Sequence, residues 1–145
     1  MKEAHPYRLS LRVHGSIVLC AALFHGAWHW FFPTYTALDG LTAIQWNTLF
    51  LFNWSIALCL LFLSILSLVV SSIQSLTLRQ LRMFSVGIIS FWAGRLALEC
   101  LFPLRIPFVI IPNPSLFIKV LLVAIITVLA LPELQTQLRR KRVPT

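Results

Sequence analysis

Four long apolar segments dominate the hydrophobic pattern of this chain, separated by short polar or proline-containing stretches. They cover roughly residues 14–32, 46–70, 83–102 and 115–132. A helix needs about 20 apolar residues to cross the roughly 30 Å hydrocarbon core of a bilayer, and each segment is close to that length. Backbone polar groups in lipid must be satisfied within their own segment, and the alternating pattern of barrel strands is absent. The pattern therefore predicts four transmembrane helices.

Composition places the chain in the same class. Its 145 residues are 59% hydrophobic and 11% charged, with a mean hydropathy of +0.87, which is too apolar for a soluble domain. The first segment follows basic residues, as a secretory signal does, but residues 31–35 offer no small-residue cleavage site, so we interpret it as an uncleaved first span. We predict an all-α integral membrane protein in which residues 1–145 form a single domain, an antiparallel bundle of four transmembrane helices.

The distribution of basic residues predicts the orientation of this bundle. Of the 12 Lys and Arg residues, nine fall on the side shared by both termini and the loop at 71–82: Lys2, Arg8, Arg12, Arg79, Arg82, Arg139, Arg140, Lys141 and Arg142. The opposite side holds only Arg105. The positive-inside rule then puts both termini in the cytoplasm, and we expect a bacterial inner membrane. The net charge of +8 reflects this topology and an affinity for anionic lipid, so no nucleic-acid partner is expected.

Two segments outside the spans have an unusual composition. The outer loop at 103–114 contains an apolar run at 108–111 between residues that forbid a helix, namely Pro103, Pro107, Pro112 and Pro114. We expect this loop to lie in the membrane interface or over the mouth of the bundle. The basic tail at 133–145 is predicted to be amphipathic or disordered and to act as a cytoplasmic anchor of the topology.

Polar side chains from all four segments converge on one depth. At about 1.5 Å per residue, six of them lie roughly 5 to 10 Å below the outer end of their helix: His25, His29, Asn53, Arg95, Glu99 and Lys119. An ionisable group at membrane depth costs at least about 2.5 kcal/mol, so it persists where it faces protein or water. This outer layer is the predicted ligand-binding site. Trp54 and Trp92 are deep enough either to line it or simply to pack.

Helical phase adds detail to the third segment. Gly87, Ser90, Gly94 and Ala97 form a stripe of small residues, which in lipid allows helices to approach closely. Arg95 and Glu99 are one turn apart beside that stripe, so we expect them to reach one neighbouring helix while the stripe packs against another. The inner half of the bundle shows little polar character beyond serines, and His14 is placed near its cytoplasmic end.

The number of charges in the polar layer distinguishes between two interpretations of it. It could be a buried network in which Glu99 pairs with Arg95 and Lys119, and in which histidines and Asn53 supply hydrogen bonds. However, two permanent cations face a single carboxylate, and the spare positive charge favours an anionic partner. We therefore expect non-catalytic binding of an amphipathic or anionic ligand, such as a lipid or a quinone-like molecule, or of a partner. Membrane lipid, other membrane subunits and a second copy of the chain are the partners considered.

The alternative is a membrane-embedded enzyme or a haem or metal redox carrier that uses the face of His25 and His29. Residues four apart share a helix face and can chelate one ion, although they cannot supply both axial ligands of one haem. Enzyme chemistry would use Glu99 or His25 as acid or base, but no local catalytic signature accompanies them. The three cysteines have no paired spacing and are expected to behave as buried small hydrophobes: Cys20, Cys59 and Cys100. The sequence names no cofactor.

Overall fold

A computed structural model describes residues 4–31, 43–103 and 113–142, and in these ranges the protein is all helical. Four helices are present in the described residues: α1 (His5–Phe31), α2 (Ala43–Ser72), α3 (Leu78–Leu101) and α4 (Pro114–Arg142). The predicted all-α class with four helices is confirmed. The loop predicted to cover the bundle mouth lies, for residues 104–112, outside the described residues.

All four helices are long and apolar enough to cross a membrane. The candidate spans are His5–Ala27, Asn47–Ser72, Leu78–Leu101 and Pro114–Leu138. Their surfaces carry many exposed large apolar side chains, among them Leu51, Phe52, Phe62 and Leu101. Such a surface is costly in water and suited to lipid. These findings indicate an integral membrane protein.

Two helices extend well beyond the predicted spans. α1 begins at His5 instead of residue 14, and α4 continues to Arg142 instead of ending at Pro132. Pro132 lies inside α4, where its carbonyl accepts a hydrogen bond from the hydroxyl of Thr136. Residues 133–142 are therefore helical. The hydropathy pattern missed both extensions because polar contacts between helices, described below, stabilise them.

The chain divides into two compact units: residues 15–69, and residues 1–14 together with 70–145. In the larger unit, α3 packs against α4. Its buried apolar side chains come from the start of α1, from α3 and from α4: Tyr7, Leu11, Leu81, Ile88, Trp92, Leu122, Ile125 and Leu129. The buried residues of α3 recur every three or four positions, so one face of this helix forms the core.

A turn at 73–77 joins α2 to α3, and side chains fix both of its ends. Thr77 caps α3 in a reciprocal arrangement with Gln80, whose side chain accepts from the Thr77 N–H at 2.8 Å. Arg8 of α1 donates to four carbonyl groups around the end of α2, those of Ser71, Ile73, Gln74 and Leu76. A cation at the carbonyl end of a helix satisfies acceptors that have no partner within the helix.

In the smaller unit, α1 and α2 approach each other closely at Gly15. The Ser64 hydroxyl donates to the Gly15 carbonyl at 2.7 Å, and a Cβ at Gly15 would lie 2.7 Å from Leu68 Cγ. The predicted small-residue stripe of α3 is different, because a Cβ at Gly87 or Gly94 would meet nothing within 4 Å. Within the larger unit, the expected packing of the stripe against another described helix is therefore not observed. The buried face of α3 is on the opposite side of the helix.

Candidate functional site

The six polar residues predicted to form one layer fall in two different units of the chain. Arg95, Glu99 and Lys119 belong to the larger unit, whereas His25 and Asn53 belong to the smaller one. His29 lies in the last part of α1, but its side chain is outside the described part of the structure. The predicted layer thus corresponds to two separate sets of residues, one in each unit.

The larger unit contains an ion pair within α3. Arg95 donates to Glu99 Oε2 at 3.0 Å, across one helical turn. The Glu99 side chain is only 1% exposed, while that of Arg95 remains 41% exposed. The carboxylate is thus on the buried face of the helix, and the guanidinium reaches from that face to the surface. Four of the five N–H donors of an arginine remain after a single hydrogen bond of this kind.

Lys119 is the second cation of this unit and is half-buried on α4. Across the described ranges, no carboxylate lies within ion-pairing distance of its amine. The alternative in which Glu99 also pairs with Lys119 is therefore not observed. Ser115, one turn earlier on the same helix, is also buried, and its hydroxyl has no hydrogen-bond partner among the residues the structure describes.

In the smaller unit, His25 and Asn53 form a two-point contact between α1 and α2. Asn53 Nδ2 donates to the His25 carbonyl at 2.5 Å, and Asn53 Oδ1 lies 2.7 Å from His25 Nδ1. Because the amide oxygen can only accept, Nδ1 is the donor and carries the proton. The other ring nitrogen, Nε2, is not used by this contact. His25 is thereby fixed in orientation by a neighbouring helix.

The predicted aromatic residues differ in their surroundings. Trp54 is exposed at the surface of α2 and makes an edge contact with Phe50. Trp92, in contrast, is buried in α3 and donates from its indole Nε1 to Nε2 of His14 at 2.8 Å. Of the two roles considered for Trp92, packing and hydrogen bonding inside the unit is the one observed.

The His14–Trp92 contact corrects the predicted position of His14. His14 is 1% exposed and lies well inside α1, because the helix begins at His5. Its Nε2 accepts a hydrogen bond, so a neutral imidazole carries its proton on Nδ1. Sequence analysis placed this residue near a helix end because the apolar run alone marked the start of the span. The signal that would have found it is the spacing of Tyr7, Leu11, His14 and Val18 on one helix face.

Sequence analysis also missed a polar cluster at the other end of the larger unit, which we call the Glu133 cluster: Tyr7, Arg82, Glu133 and Gln137. Tyr7 donates to Glu133 Oε2 at 2.7 Å, and Arg82 contacts Glu133 Oε1 at 2.5 Å. Gln137 donates to Oε1 from the next turn of α4 at 3.3 Å. The cluster joins α1, α3 and α4, and it accounts for the helical continuation of α4 past Pro132.

Among the described residues, no group of three or more His, Cys, Asp or Glu side chains is close enough to hold one metal ion. The three cysteines carry free thiols and are exposed at helix surfaces, contrary to the expectation that they are buried. Their exposed positions are suited to contact with lipid.

Comparison of the chain with protein-family models, with curated proteins and with solved structures found no match.

Proposed function

We propose that the protein is a non-catalytic membrane protein that binds an anionic amphipath, of the kind represented by an acidic lipid headgroup, beside α3 and α4. One observation carries the proposal. Arg95 neutralises the buried Glu99 while remaining 41% exposed, and Lys119 is half-buried with no carboxylate partner in the described chain. Of these two permanent cations, only Arg95 has a carboxylate partner among the described residues.

The guanidinium of Arg95 is suited to such a ligand. Its contact with Glu99 uses one terminal nitrogen and fixes the side chain, so the remaining donors are held in position. A planar fork of N–H groups matches the paired oxygens of a phosphate or carboxylate. Because hydrogen bonds to an ionised group are stronger where water is excluded, a ligand at the lipid boundary would gain more than one in bulk water.

The two cations lie at a similar level in the proposed arrangement. The Arg82–Glu133 ion pair aligns α3 with α4. If α4 runs antiparallel to α3, Arg95 lies about 20 Å along α3 from Arg82, and Lys119 lies about 21 Å along α4 from Glu133. The buried hydroxyl of Ser115, which has no partner among the described residues, is one turn from Lys119 and offers a neutral donor at the same end.

The orientation of the bundle is part of the proposal. Nine basic residues on one side against Arg105 on the other favour cytoplasmic termini in a bacterial inner membrane. The Glu133 cluster then lies at the cytoplasmic end, and Arg95 and Lys119 face the outer leaflet. A ligand from that leaflet could reach them laterally without crossing the bilayer.

The test is native mass spectrometry of protein reconstituted with three candidate ligands, compared between wild type and Lys119→Met. The candidates are phosphatidylglycerol, a fatty acid and zwitterionic phosphatidylcholine. Loss of one charge-assisted contact of about 1 to 3 kcal/mol weakens retention of an anionic species about 5- to 150-fold. The phosphatidylglycerol and fatty-acid arms distinguish a phosphate from a carboxylate as the bound group.

Arg79→Met is the matched control, because it removes one positive charge from an exposed position at the start of α3, far along the helix from Arg95. It should retain the ligand at wild-type occupancy. Helical content and monodispersity confirm that both variants remain folded. Identical bound species at identical occupancy in wild type and Lys119→Met, or no bound anion in wild type, would overturn the proposal.

A further inference from the structure

A buried hydroxyl in the core of the larger unit has no hydrogen-bond partner among the described residues. Ser85 of α3 is 2% exposed, and its Oγ makes no hydrogen bond within the described chain. Burying a hydroxyl without a hydrogen-bond partner is unfavourable, so a partner is expected at this position.

Four other hydroxyls on these helices donate a hydrogen bond within their own helix. Ser55, Ser67, Thr127 and Thr136 each donate to the carbonyl four residues earlier, at 2.8 Å. This back-bond is the usual solution for a serine or threonine within a helix. Ser85 is in the middle of α3, where the carbonyl of Leu81 is at the same spacing, yet it does not make this bond. Its hydroxyl is nevertheless buried.

Two contacts between helices bracket the space beside Ser85. On α1, Ser10 lies between Tyr7, which bonds Glu133, and His14, which bonds Trp92. On α3, Ser85 lies between Arg82 and Trp92, which belong to the same two contacts. The two serines are therefore at corresponding positions along α1 and α3, between the same two contacts, and both are buried.

Ser10 has the capacity to accept a hydrogen bond there. Its hydroxyl proton is donated to the Tyr7 carbonyl at 2.9 Å, which leaves the lone pairs of Oγ for a donor. A water molecule donates two protons and accepts two, and buried waters occupy sites with two to four polar partners. The hydroxyls of Ser10 and Ser85 supply two such partners.

We propose that Ser85 and Ser10 hold a buried water molecule between α1 and α3, between the Glu133 cluster and the His14–Trp92 contact. The water accepts from Ser85 and donates to Ser10. It satisfies the otherwise unpartnered hydroxyl, and it makes the polar side of α1 continuous from Tyr7 to His14. This site is separate from the proposed ligand site at Arg95 and Lys119, which lies further along α3.

The site is tested by magnetic resonance on deuterated protein in detergent, with water as the probe. Cross-peaks between water and the amide protons of Ser10 and Ser85 are measured in wild type and in Ser85→Ala, Ser10→Ala and Ser90→Ala. Wild type should show them, and each of the first two variants should lose them. Ser90→Ala should keep them, because Ser90 is on the exposed side of the same helix.

Two results would overturn the inference. One is the absence of any water cross-peak at these amides in wild type. The other is a cross-peak that survives both Ser85→Ala and Ser10→Ala. Because two separate serines are changed, failure of one variant to fold still leaves the second to decide the question.

Discussion

At the scale of single residues, Glu99 is held in the core by Arg95, one turn earlier on the same helix. A carboxylate that is 1% exposed would be strongly penalised without a cation, and the 3.0 Å contact with Arg95 supplies one. Because Arg95 is 41% exposed, part of its charge is screened by its surroundings, and the pair is worth less than a fully buried one. The contribution of the pair can be measured by changing each residue separately and together.

We expect Arg95→Leu alone to destabilise the protein more than the double change Arg95→Leu with Glu99→Leu. The single change takes the Arg95 cation away from a buried carboxylate, at a cost of about 1 to 3 kcal/mol, whereas the double change removes the carboxylate as well. Reversible unfolding in mixed micelles, followed by circular dichroism, gives the coupling energy. Strictly additive effects of the two single changes would mean that the residues do not interact.

The polar residues of the core show what could and could not be predicted at this scale. Depth and helical spacing alone were enough to single out Arg95 and Glu99, because charges inside an apolar run are unmistakable. Tyr7 was missed because it precedes the apolar run, and His14, at the start of that run, was placed near a helix end. Their roles depend on Trp92 and Glu133, which are distant in sequence, and no local pattern shows such partners.

At the scale of helices, glycine has two different roles in this protein. Gly15 allows α1 to contact α2 closely, since a Cβ there would lie 2.7 Å from Leu68 Cγ and 3.1 Å from the Ser64 carbonyl oxygen. Gly94 on α3 faces open space. The sequence favoured the α3 stripe because it repeats, whereas a close approach at one isolated glycine leaves no repeating pattern.

The matched pair Gly15→Ala and Gly94→Ala separates these roles. Gly15→Ala should destabilise the protein by about 1 to 3 kcal/mol, because the Ser64 carbonyl and Leu68 must both move. Gly94→Ala should be neutral, or stabilising by up to about 1 kcal/mol, since alanine is the better helix former. Thermal unfolding of both variants in one detergent measures the difference. Equal tolerance of the two changes would contradict the close contact at Gly15.

The helix ends were predicted less well than the helix centres. Hydropathy identifies the stretch that must lie in hydrocarbon, and all four such stretches are helical. It does not identify the polar residues beyond that stretch, where Tyr7, Arg82 and Glu133 join three helices. The continuation of α4 through Pro132 depends on these contacts, and composition alone left the choice between an amphipathic and a disordered tail open.

At the scale of the whole molecule, the sequence predicted an all-helical membrane protein with four helices, and the described residues form four helices that are long and apolar enough to span a membrane. The single polar layer stays a prediction. Equal depth places residues at one level, but it cannot decide which of them are in contact. The structure brings Arg95 to Glu99 and His25 to Asn53, in two separate units of the chain.

The proposed orientation of the helices in the membrane can be tested by measuring how accessible their opposite ends are to a thiol reagent. After replacement of the three exposed native cysteines, single cysteines at Gln74 and Val143 should react only from the cytoplasmic side, and one at Thr36 only from the outside. A membrane-impermeant thiol reagent applied to intact cells and to inverted vesicles makes the measurement. Labelling of Gln74 in intact cells would contradict cytoplasmic termini.

The hydrogen bond between Tyr7 and Glu133 has a consequence for biosynthesis. Its partners are 126 residues apart, so the contact cannot form until the chain has been made as far as Glu133. At about 5 to 20 residues per second, the start of α1 waits roughly 6 to 25 s for its partner in α4. During that interval α2 and α3 are made, and Tyr7 and then Arg82 have no carboxylate from α4. Closure of the Glu133 cluster is therefore a late event, and a chain cut short after Pro132 could not complete it.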